Sequence, residues 1–296
     1  GYHPNLMARS LSTKRSRSIA LLIPSDMHAA LDVMQSNFVP SAVRLAGRRS
    51  YGLLVWTLPE EEFDVRRMIQ EGMVEGLLLM EVKLDDERIA KLRTSSYPFA
   101  LIGHCADNTG ISYVDFDFAA ALRLAVQHLA DLGHTSIAFV NFAEHALAAG
   151  YGPAVRSTAG FEAAATEFGI MGLTLIGSSE IEEATALVRD LLVAQPQVTA
   201  LIVPDLARLA AVLQAAYQLQ LRIPDDFSVV SILDGEAAAR AAPPLTNIEF
   251  PSEEMGNIGA ELLIDRLEDP TAPARQILLA PQLQRGQSTA GPRDRA

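Results

Sequence analysis

Strand-length apolar runs alternate with helical periodicity along most of this chain, and this alternation constrains the fold more than any other feature. Most of the runs are continuously apolar, as expected for strands of a parallel sheet whose two faces are covered by helices. They are Ile19–Ile23, Gly52–Thr57, Gly76–Glu81, Phe99–Gly103 and Tyr113–Asp115, then Ser136–Val140, Leu173–Gly177, Ala200–Val203 and Ser228–Ile232. Because strand–helix alternation is typical of βαβ units, the sequence predicts an α/β fold of two doubly wound parallel-sheet lobes.

The segments between these runs carry apolar residues at helical spacing. We predict helices near Leu31–Arg48, Glu60–Glu71, Asp85–Arg93, Ala119–Leu132, Thr158–Phe168, Glu182–Ala194, Leu206–Leu219 and Glu253–Leu267. A chain of 296 residues exceeds the size at which single cores stop growing, which supports two lobes. The proline-bounded segment Pro243–Pro251 is suited to cross between them. We therefore assign 18–134 with 249–271 to an N-terminal lobe, 135–248 with 272–290 to a C-terminal lobe, and 291–296 to a tail.

Charge is distributed unevenly along the chain. The formal net charge of −12 disfavours nucleic-acid binding by most of it, since phosphate contacts need a basic surface. Residues 1–17 are the exception, with four Lys or Arg side chains and no acidic residue. The single cysteine, Cys105, excludes a disulfide framework and fits a reducing compartment. Because no signal peptide or membrane-length apolar run is visible, we expect a cytoplasmic protein without membrane contact.

The carboxyl ends of the predicted strands are the candidate ligand site, because open parallel sheets bind ligands there. Small-molecule sites also concentrate in clefts between lobes. The rule selects Asp26, Trp56, Glu81, His104 and Asp117 from the first lobe, and Phe142, Asp205, Asp234 and the crossover residue Phe250 from the second. We add Arg156 as the ligand-binding arginine of the second lobe. Asp115 and Arg208 supply further polarity, enough for a charged ligand.

Several of these candidates have an equally simple structural interpretation. Asp117 and Asp205 each precede a predicted helix and are suited to be N-caps. A lone tryptophan such as Trp56 is more often packed than stacked on a ligand, and His104 fits a hydrogen-bonded loop histidine. Glu81 is the most notable carboxylate, because it ends a strand that the pattern predicts to be buried. The sequence alone leaves these alternatives open.

Catalytic motifs are missing from the sequence. No nucleotide-binding glycine fingerprint, P-loop, metal-ligand spacing or nucleophile elbow is present. The carboxylates of Asp115 and Asp117 alternate on a predicted strand, so they point to opposite faces and cannot share a proton. We expect a protein that is not an enzyme and that needs neither cofactor nor metal.

A series of motifs in a fixed order resembles one family. The segment Tyr2–Leu11 contains Tyr, Pro, Asn, Ala and Leu at the five fixed positions of the pattern Tyr-x-Pro-Asn-x-x-Ala-x-x-Leu. That pattern is the hinge of the LacI/GalR family of bacterial transcriptional regulators. Further along, the chain resembles the family at Leu129–His134 with Ile137–Val140, Gly160-Phe161, Ile223–Val230, Pro243–Thr246 and Glu254–Gly256. The first of these resembles the family's first crossing from one lobe to the other.

The resemblance implies a periplasmic-binding-protein type I fold with three crossovers, a homodimer, and a small-molecule effector that is by default a sugar. It implies that residues 1–17 are a hinge remnant and linker that follow an absent helix-turn-helix domain. Asn5, Ala8, Arg9 and Leu11 would then contact operator DNA, with Leu11 inserted into the minor groove. Effector binding would close the lobes and alter operator affinity, a coupling of typically about 1–3 kcal/mol.

Three positions depart from the family at the expected sugar site. Ser157 stands where the family has an arginine, Pro204 replaces an amide, and Leu233 replaces the first of two aspartates. A site without those hydrogen bonds discriminates poorly between polyols. A sugar, a more apolar ligand, a charged ligand and a lost response therefore all stay open. An exported solute-binding protein of a transporter is the alternative function, and the hinge-like segment argues against it.

Overall fold

The computed structural model describes residues 16–24, 37–58 and 72–292. The predicted helix Glu60–Glu71, the predicted ligand residue Asp26 and the hinge residues Asn5, Ala8, Arg9 and Leu11 lie outside these ranges. In the described residues the strands are β1 (Ser18–Pro24), β2 (Gly52–Leu58), β3 (Gly76–Leu79), β4 (Phe99–Ile102), β5 (Tyr113–Phe116), β6 (Ser136–Ala143), β7 (Met171–Gly177), β8 (Ala200–Val203), β9 (Ser228–Leu233), β10 (Thr246–Glu249), β11 (Gln276–Leu279) and β12 (Leu283–Gln284). The helices are α1 (Phe38–Arg48), α2 (Glu87–Thr94), α3 (Phe118–Asp131), α4 (Glu144–Ala148), α5 (Gly152–Glu167), α6 (Ile181–Ala194), α7 (Leu206–Gln218), α8 (Gly235–Arg240) and α9 (Ser252–Glu268).

The strands form two six-stranded sheets, as the alternating pattern predicts. The first has the order β11-β5-β4-β3-β1-β2, and the second has the order β12-β10-β9-β8-β6-β7. The pairs from β2 through β1, β3 and β4 to β5 are parallel, and so are those from β7 through β6, β8 and β9 to β10. Only β12, joined to β10, pairs antiparallel among these registered strands. The central strands β3, β8 and β9 are buried throughout, which explains why they are continuously apolar.

The chain divides into two compact units, at residues that differ from the predicted ones. The first unit comprises the described residues up to Asp115 together with Ser252–Leu278, and the second comprises Phe116–Pro251 and the residues from Leu279 onward. Residues 116–134, which we predicted in the N-terminal lobe, therefore belong to the second unit. So does the predicted first crossing at Leu129–Val140. Residues 249–251 were predicted in the N-terminal lobe and belong to the second unit, whereas residues 272–278 were predicted in the C-terminal lobe and belong to the first.

The packing of α3 explains the shifted boundary. This helix lies along α5, and Gly160 makes the close approach possible because a Cβ at position 160 would lie 2.6 Å from the Cα of Ala119. Periodicity shows that α3 has an apolar face but not which sheet that face covers. In the first unit α9 packs in the same way on α1, and β11 bonds to β5 through the amide of Tyr113 and the carbonyl of Arg275.

Buried polar contacts attach the C-terminal segment to the second sheet. The imidazole Nε2 of His134 donates to the carbonyl of Ala290 at 2.9 Å, and its Nδ1 lies 2.7 Å from the hydroxyl of Thr199. His128 lies 3.1 Å from the hydroxyl of Thr289. Burial lowers the pKa of both histidines, so the neutral rings are the stable form in the folded protein. Among the helices of the described ranges, none is long and apolar enough to cross a membrane.

Candidate functional site

A histidine–aspartate pair lies at the carboxyl edge of the first sheet. Parallel β4 and β5 pair Leu101 with Tyr113, which brings the loop after β4 beside the end of β5. The Nδ1 of His104 lies 2.6 Å from the Oδ2 of Asp115, whose side chain is 2% exposed against 19% for His104. The His104 ring also stacks on Tyr113, with centroids 5.0 Å apart and planes at 18°. A buried carboxylate accepts a hydrogen bond from Nδ1 and thereby orients the ring.

The loop after β3 places Glu81 at the same edge in an unusual backbone conformation. Glu81 is buried and has φ +54°, in the left-handed region that few residues other than glycine adopt. The guanidinium of Arg88 fixes this backbone, because its Nη2 donates to the carbonyls of Met80 at 3.1 Å and Glu81 at 2.9 Å. Held non-glycine residues with positive φ are concentrated at functional sites. The geometry therefore supports Glu81 as a candidate ligand residue.

Asp86 completes this arrangement as the counter-ion of Arg88. The two side chains share two hydrogen bonds, Nε to Oδ1 at 3.0 Å and Nη2 to Oδ2 at 2.7 Å, and are 3% and 1% exposed. Burial alone would raise the pKa of Asp86. The hydrogen bonds and charge of Arg88, with the amides of Lys83 and Arg88, outweigh it and lower this pKa. The carboxylate of Asp86 is therefore ionised at neutral pH.

An arginine held between a carboxylate and an aromatic ring lies at the carboxyl edge of the second sheet. Arg208 donates through Nη1 to the Oδ2 of Asp205 at 2.8 Å, and its guanidinium carbon lies 5.3 Å from the centre of the Phe142 ring. Phe142 in turn meets Tyr151 edge-on, with centroids 5.5 Å apart. Burial raises the pKa of Asp205, although Arg208 and backbone amides oppose the change. The ring face of Phe142 that meets Arg208 is covered, so it is not available to stack on a ligand.

Three of the four aspartates predicted at strand ends lie in the described residues, and all three cap helices. Asp117 accepts from the amide of Ala120 at 2.9 Å, Asp205 from that of Arg208 at 2.8 Å, and Asp234 from that of Glu236 at 3.1 Å. The capping interpretation of Asp117 and Asp205 is therefore confirmed. Asp117 also belongs to the second unit rather than the first. Each cap fixes its carboxylate at the carboxyl edge of the sheet.

The other predicted residues have more varied surroundings. Trp56 is half-buried on β2 and packs against the core of the first unit, as its structural interpretation suggested. Phe250 packs edge-on against Phe116, with centroids 5.4 Å apart. On α5, Arg156 is half-buried and the neighbouring Ser157 is fully buried.

The sequence did not place Tyr151 and Arg88 in the candidate site, and it named Arg208 only as a source of polarity for a charged ligand. One signal was available for Arg208, because it lies three residues after Asp205 at the start of a helix, a spacing that favours contact. The contact of Arg88 with the loop after β3 has no comparable signal. It depends on the path of that loop, which periodicity does not define.

Comparison with known proteins identifies the family. Residues 126–289 match the family described as a periplasmic binding protein-like domain. The ribose operon repressor of Escherichia coli (strain K12) is 27% identical over 294 residues, which cover 95% of this chain and 85% of the repressor. The HTH-type transcriptional regulator CelR of Thermobifida fusca is 30% identical over 292 residues, or 94% of this chain and 83% of CelR. A solved transcriptional regulator CelR–cellobiose complex superposes with a TM-score of 0.80 at 23% identity, covering 93% of this chain and 85% of that one.

These relatives are transcriptional regulators by name and not exported solute-binding proteins, which favours the first of the two functions expected from the sequence. The similarity runs through both sheets and nearly the whole chain, in agreement with the order of the motifs from Leu129 to Gly256. The chain belongs to the LacI/GalR family of transcriptional regulators.

Proposed function

We propose that this protein is the effector-binding core of a cytoplasmic transcriptional repressor and that it has no catalytic role. The observation that carries the proposal is the 30% identity to a transcriptional regulator along 94% of the chain. The carboxyl edges of the two sheets are the proposed ligand surfaces. The first offers Glu81, His104 and the capped Asp117, and the second offers Arg156, Arg208 and the capped Asp205 and Asp234. Operator DNA would be bound through Asn5, Ala8, Arg9 and Leu11 together with a helix-turn-helix domain.

A carbohydrate is the proposed effector class. One relative is named for the ribose operon, and the CelR structure is a complex with cellobiose. Edges of this kind, with a few fixed polar groups and adjoining aromatic side chains, are typical of small-molecule sites. Phe142 and Tyr151 are the adjoining aromatic side chains in the second unit, and Tyr113 beside His104 is the one in the first.

A homodimer is the proposed assembly. Apolar side chains are exposed along the edge strand of the first sheet and on the adjoining helix: Leu54 is 41% exposed, Val55 36% and Val43 45%. Exposed apolar side chains that lie close together at a sheet edge mark interaction surfaces. Sedimentation of the protein as a dimer, and as a monomer after Leu54→Glu with Val55→Lys, would support this assembly.

The function is tested by linking ligand binding to DNA binding. Thermal shift identifies ligands first: a ligand present at 100 times its Kd stabilises by about 2.7 kcal/mol, which raises Tm by about 5–10 °C for a domain of this size. The full-length protein is then used to select DNA from a random pool. We expect one enriched sequence, whose binding changes at least fivefold with the stabilising ligand. A full-length protein that enriches no sequence would contradict the proposal.

A further inference from the structure

Arg208 is held in one orientation by three neighbours at the carboxyl edge of the second sheet. Asp205 binds its Nη1 at 2.8 Å, and the Phe142 ring lies 5.3 Å from the guanidinium carbon. Gly177 lies on another side, where a Cβ would come 3.5 Å from the Nε and 2.6 Å from the carbonyl oxygen of Asn141. A side chain at 177 would therefore displace the end of β6, and it would lie in van der Waals contact with the arginine. An arginine fixed in this way is already organised before a ligand arrives.

The Nε of this guanidinium has no hydrogen-bond partner among the described residues. Asp205 uses Nη1, whereas the Nε is buried and makes no hydrogen bond in the structure. The Nε and Nη2 form the side-on fork that binds a carboxylate or a phosphate with two parallel hydrogen bonds. A buried donor without an acceptor is rare in native proteins and calls for a missing partner. The unsatisfied edge of Arg208 is suited to two oxygens of one anionic group.

The position of Arg208 also compensates for a departure from the family. Ser157 stands where the family has an arginine, and it is buried with a hydroxyl that has no hydrogen-bond partner. The hydroxyl of the next residue, Thr158, accepts from the side-chain Nδ2 of Asn141, so this part of α5 lies against the end of β6. Arg208 reaches the same strand end from α7, through Phe142 and Gly177. The guanidinium that α5 lacks at 157 is thus supplied from another helix and in another direction.

We propose that Arg208 is the effector-binding arginine of this protein and that it selects an effector with an anionic group, either a carboxylate or a phosphate ester. The inference rests on the proposed function, because it defines the ligand of the same site. A neutral sugar would leave the Nε–Nη2 edge with a weaker acceptor and would be bound less well.

The test compares neutral sugars with their anionic derivatives. Tm is measured with glucose, galactose and ribose, with glucuronate and galacturonate, and with glucose 6-phosphate and ribose 5-phosphate, and each ligand that raises Tm is titrated by calorimetry. We expect at least one anionic sugar to bind at least tenfold more tightly than its neutral parent. The uronates and the phosphate esters distinguish the two anionic groups.

Three variants locate the contact. Arg208→Gln should weaken the anionic ligand by about 100-fold, and Arg208→Lys, which keeps the charge without the fork, by about tenfold. Arg189→Gln is the matched control, since Arg189 belongs to the same unit and pairs with an exposed aspartate; it should change nothing. If Arg208→Gln does not fold, the affinity of Arg208→Lys for the anionic ligand tests the contact instead.

The outcomes separate this inference from the proposed function. Equal affinity for neutral and anionic sugars, or unchanged affinity in both Arg208 variants, would overturn the anionic effector while the regulatory function stands. An absence of binding by every anionic ligand in the set would also overturn it. Failure of the full-length protein to select DNA would instead refute the regulator itself, whatever sugar it binds.

Discussion

The buried pair of Arg88 and Asp86 should be among the most sensitive sites in the first unit. Arg88→Met keeps an unbranched side chain in a well-packed position but removes the cation beside Asp86. It also removes the donor to the carbonyls of Met80 and Glu81. Loss of one partner of a buried ion pair costs about 3–5 kcal/mol. This is a large share of the roughly 5–15 kcal/mol by which proteins of ordinary stability remain folded.

The same helix provides a matched control. Arg93 also lies on α2 and pairs with an aspartate, Asp107, but the two side chains are 33% and 69% exposed. Exposed pairs contribute about 0–1 kcal/mol, so Arg93→Met should be nearly neutral. Asp86→Asn with Arg88→Met should cost less than the sum of the single changes, by about 2 kcal/mol.

The chain offers a local probe for this experiment. Trp56 is its only tryptophan, and it packs against the core of the first unit, so its fluorescence reports unfolding of that unit. With a slope of about 2 kcal/mol per molar urea, Arg88→Met should lower the midpoint by about 2 M. Arg93→Met should lower it by less than about 0.5 M. Equal midpoints for the two variants would refute the assignment of a structural role to the buried pair.

Two further predictions concern the second unit. Gly160→Ala would put a Cβ 2.6 Å from the Cα of Ala119, so α3 and α5 must separate at a cost of about 1–3 kcal/mol. Gly47→Ala is the control, because no atom lies within 4 Å of the added Cβ, and it should be neutral or slightly stabilising. Urea unfolding followed by circular dichroism compares the stabilities of the two variants. The lowered pKa values of His134 and His128 mean that, below about pH 6.5, the unfolded chain binds more protons than the folded one. The free energy of unfolding should therefore have its full value above that pH and fall as the pH decreases towards the folded pKa values. His134→Gln should reduce this pH dependence. An equal slope of unfolding free energy against pH in the variant would contradict the assignment.

The sequence predicted the elements better than their grouping. Apolar runs identified the strands from β1 to β9, and the central strands β3, β8 and β9 are apolar throughout because they are buried on both faces. Helices α4 and α8 were not predicted, because five or six residues are too few to show a period. The assignment of α3 to the wrong lobe has a different cause. Its partner is decided by the absence of a side chain at Gly160, forty-one residues after Ala119.

The candidate site shows a similar limit. The rule that ligands bind at strand ends selected His104 from position alone. Its contact with Asp115 depends on the register of two strands, which the sequence did not give. The left-handed conformation of Glu81 depends on a buried guanidinium seven residues away. Sequence positions therefore indicate which edge of the sheet carries the polar side chains. The contacts that orient those side chains can be seen only in the folded structure.

Helix capping and ligand binding are not exclusive roles for the aspartates at the strand ends. A carboxylate has about four acceptor sites, and a cap uses one while fixing the rotamer. Asp117 engages one oxygen with the amide of Ala120, so the cap itself positions the carboxylate at the edge. Asp205 differs, because the amide of Arg208 takes one oxygen and the guanidinium of Arg208 takes the other. At that point of the edge the stronger unsatisfied group is a donor, and the ligand that fits it must bring acceptors.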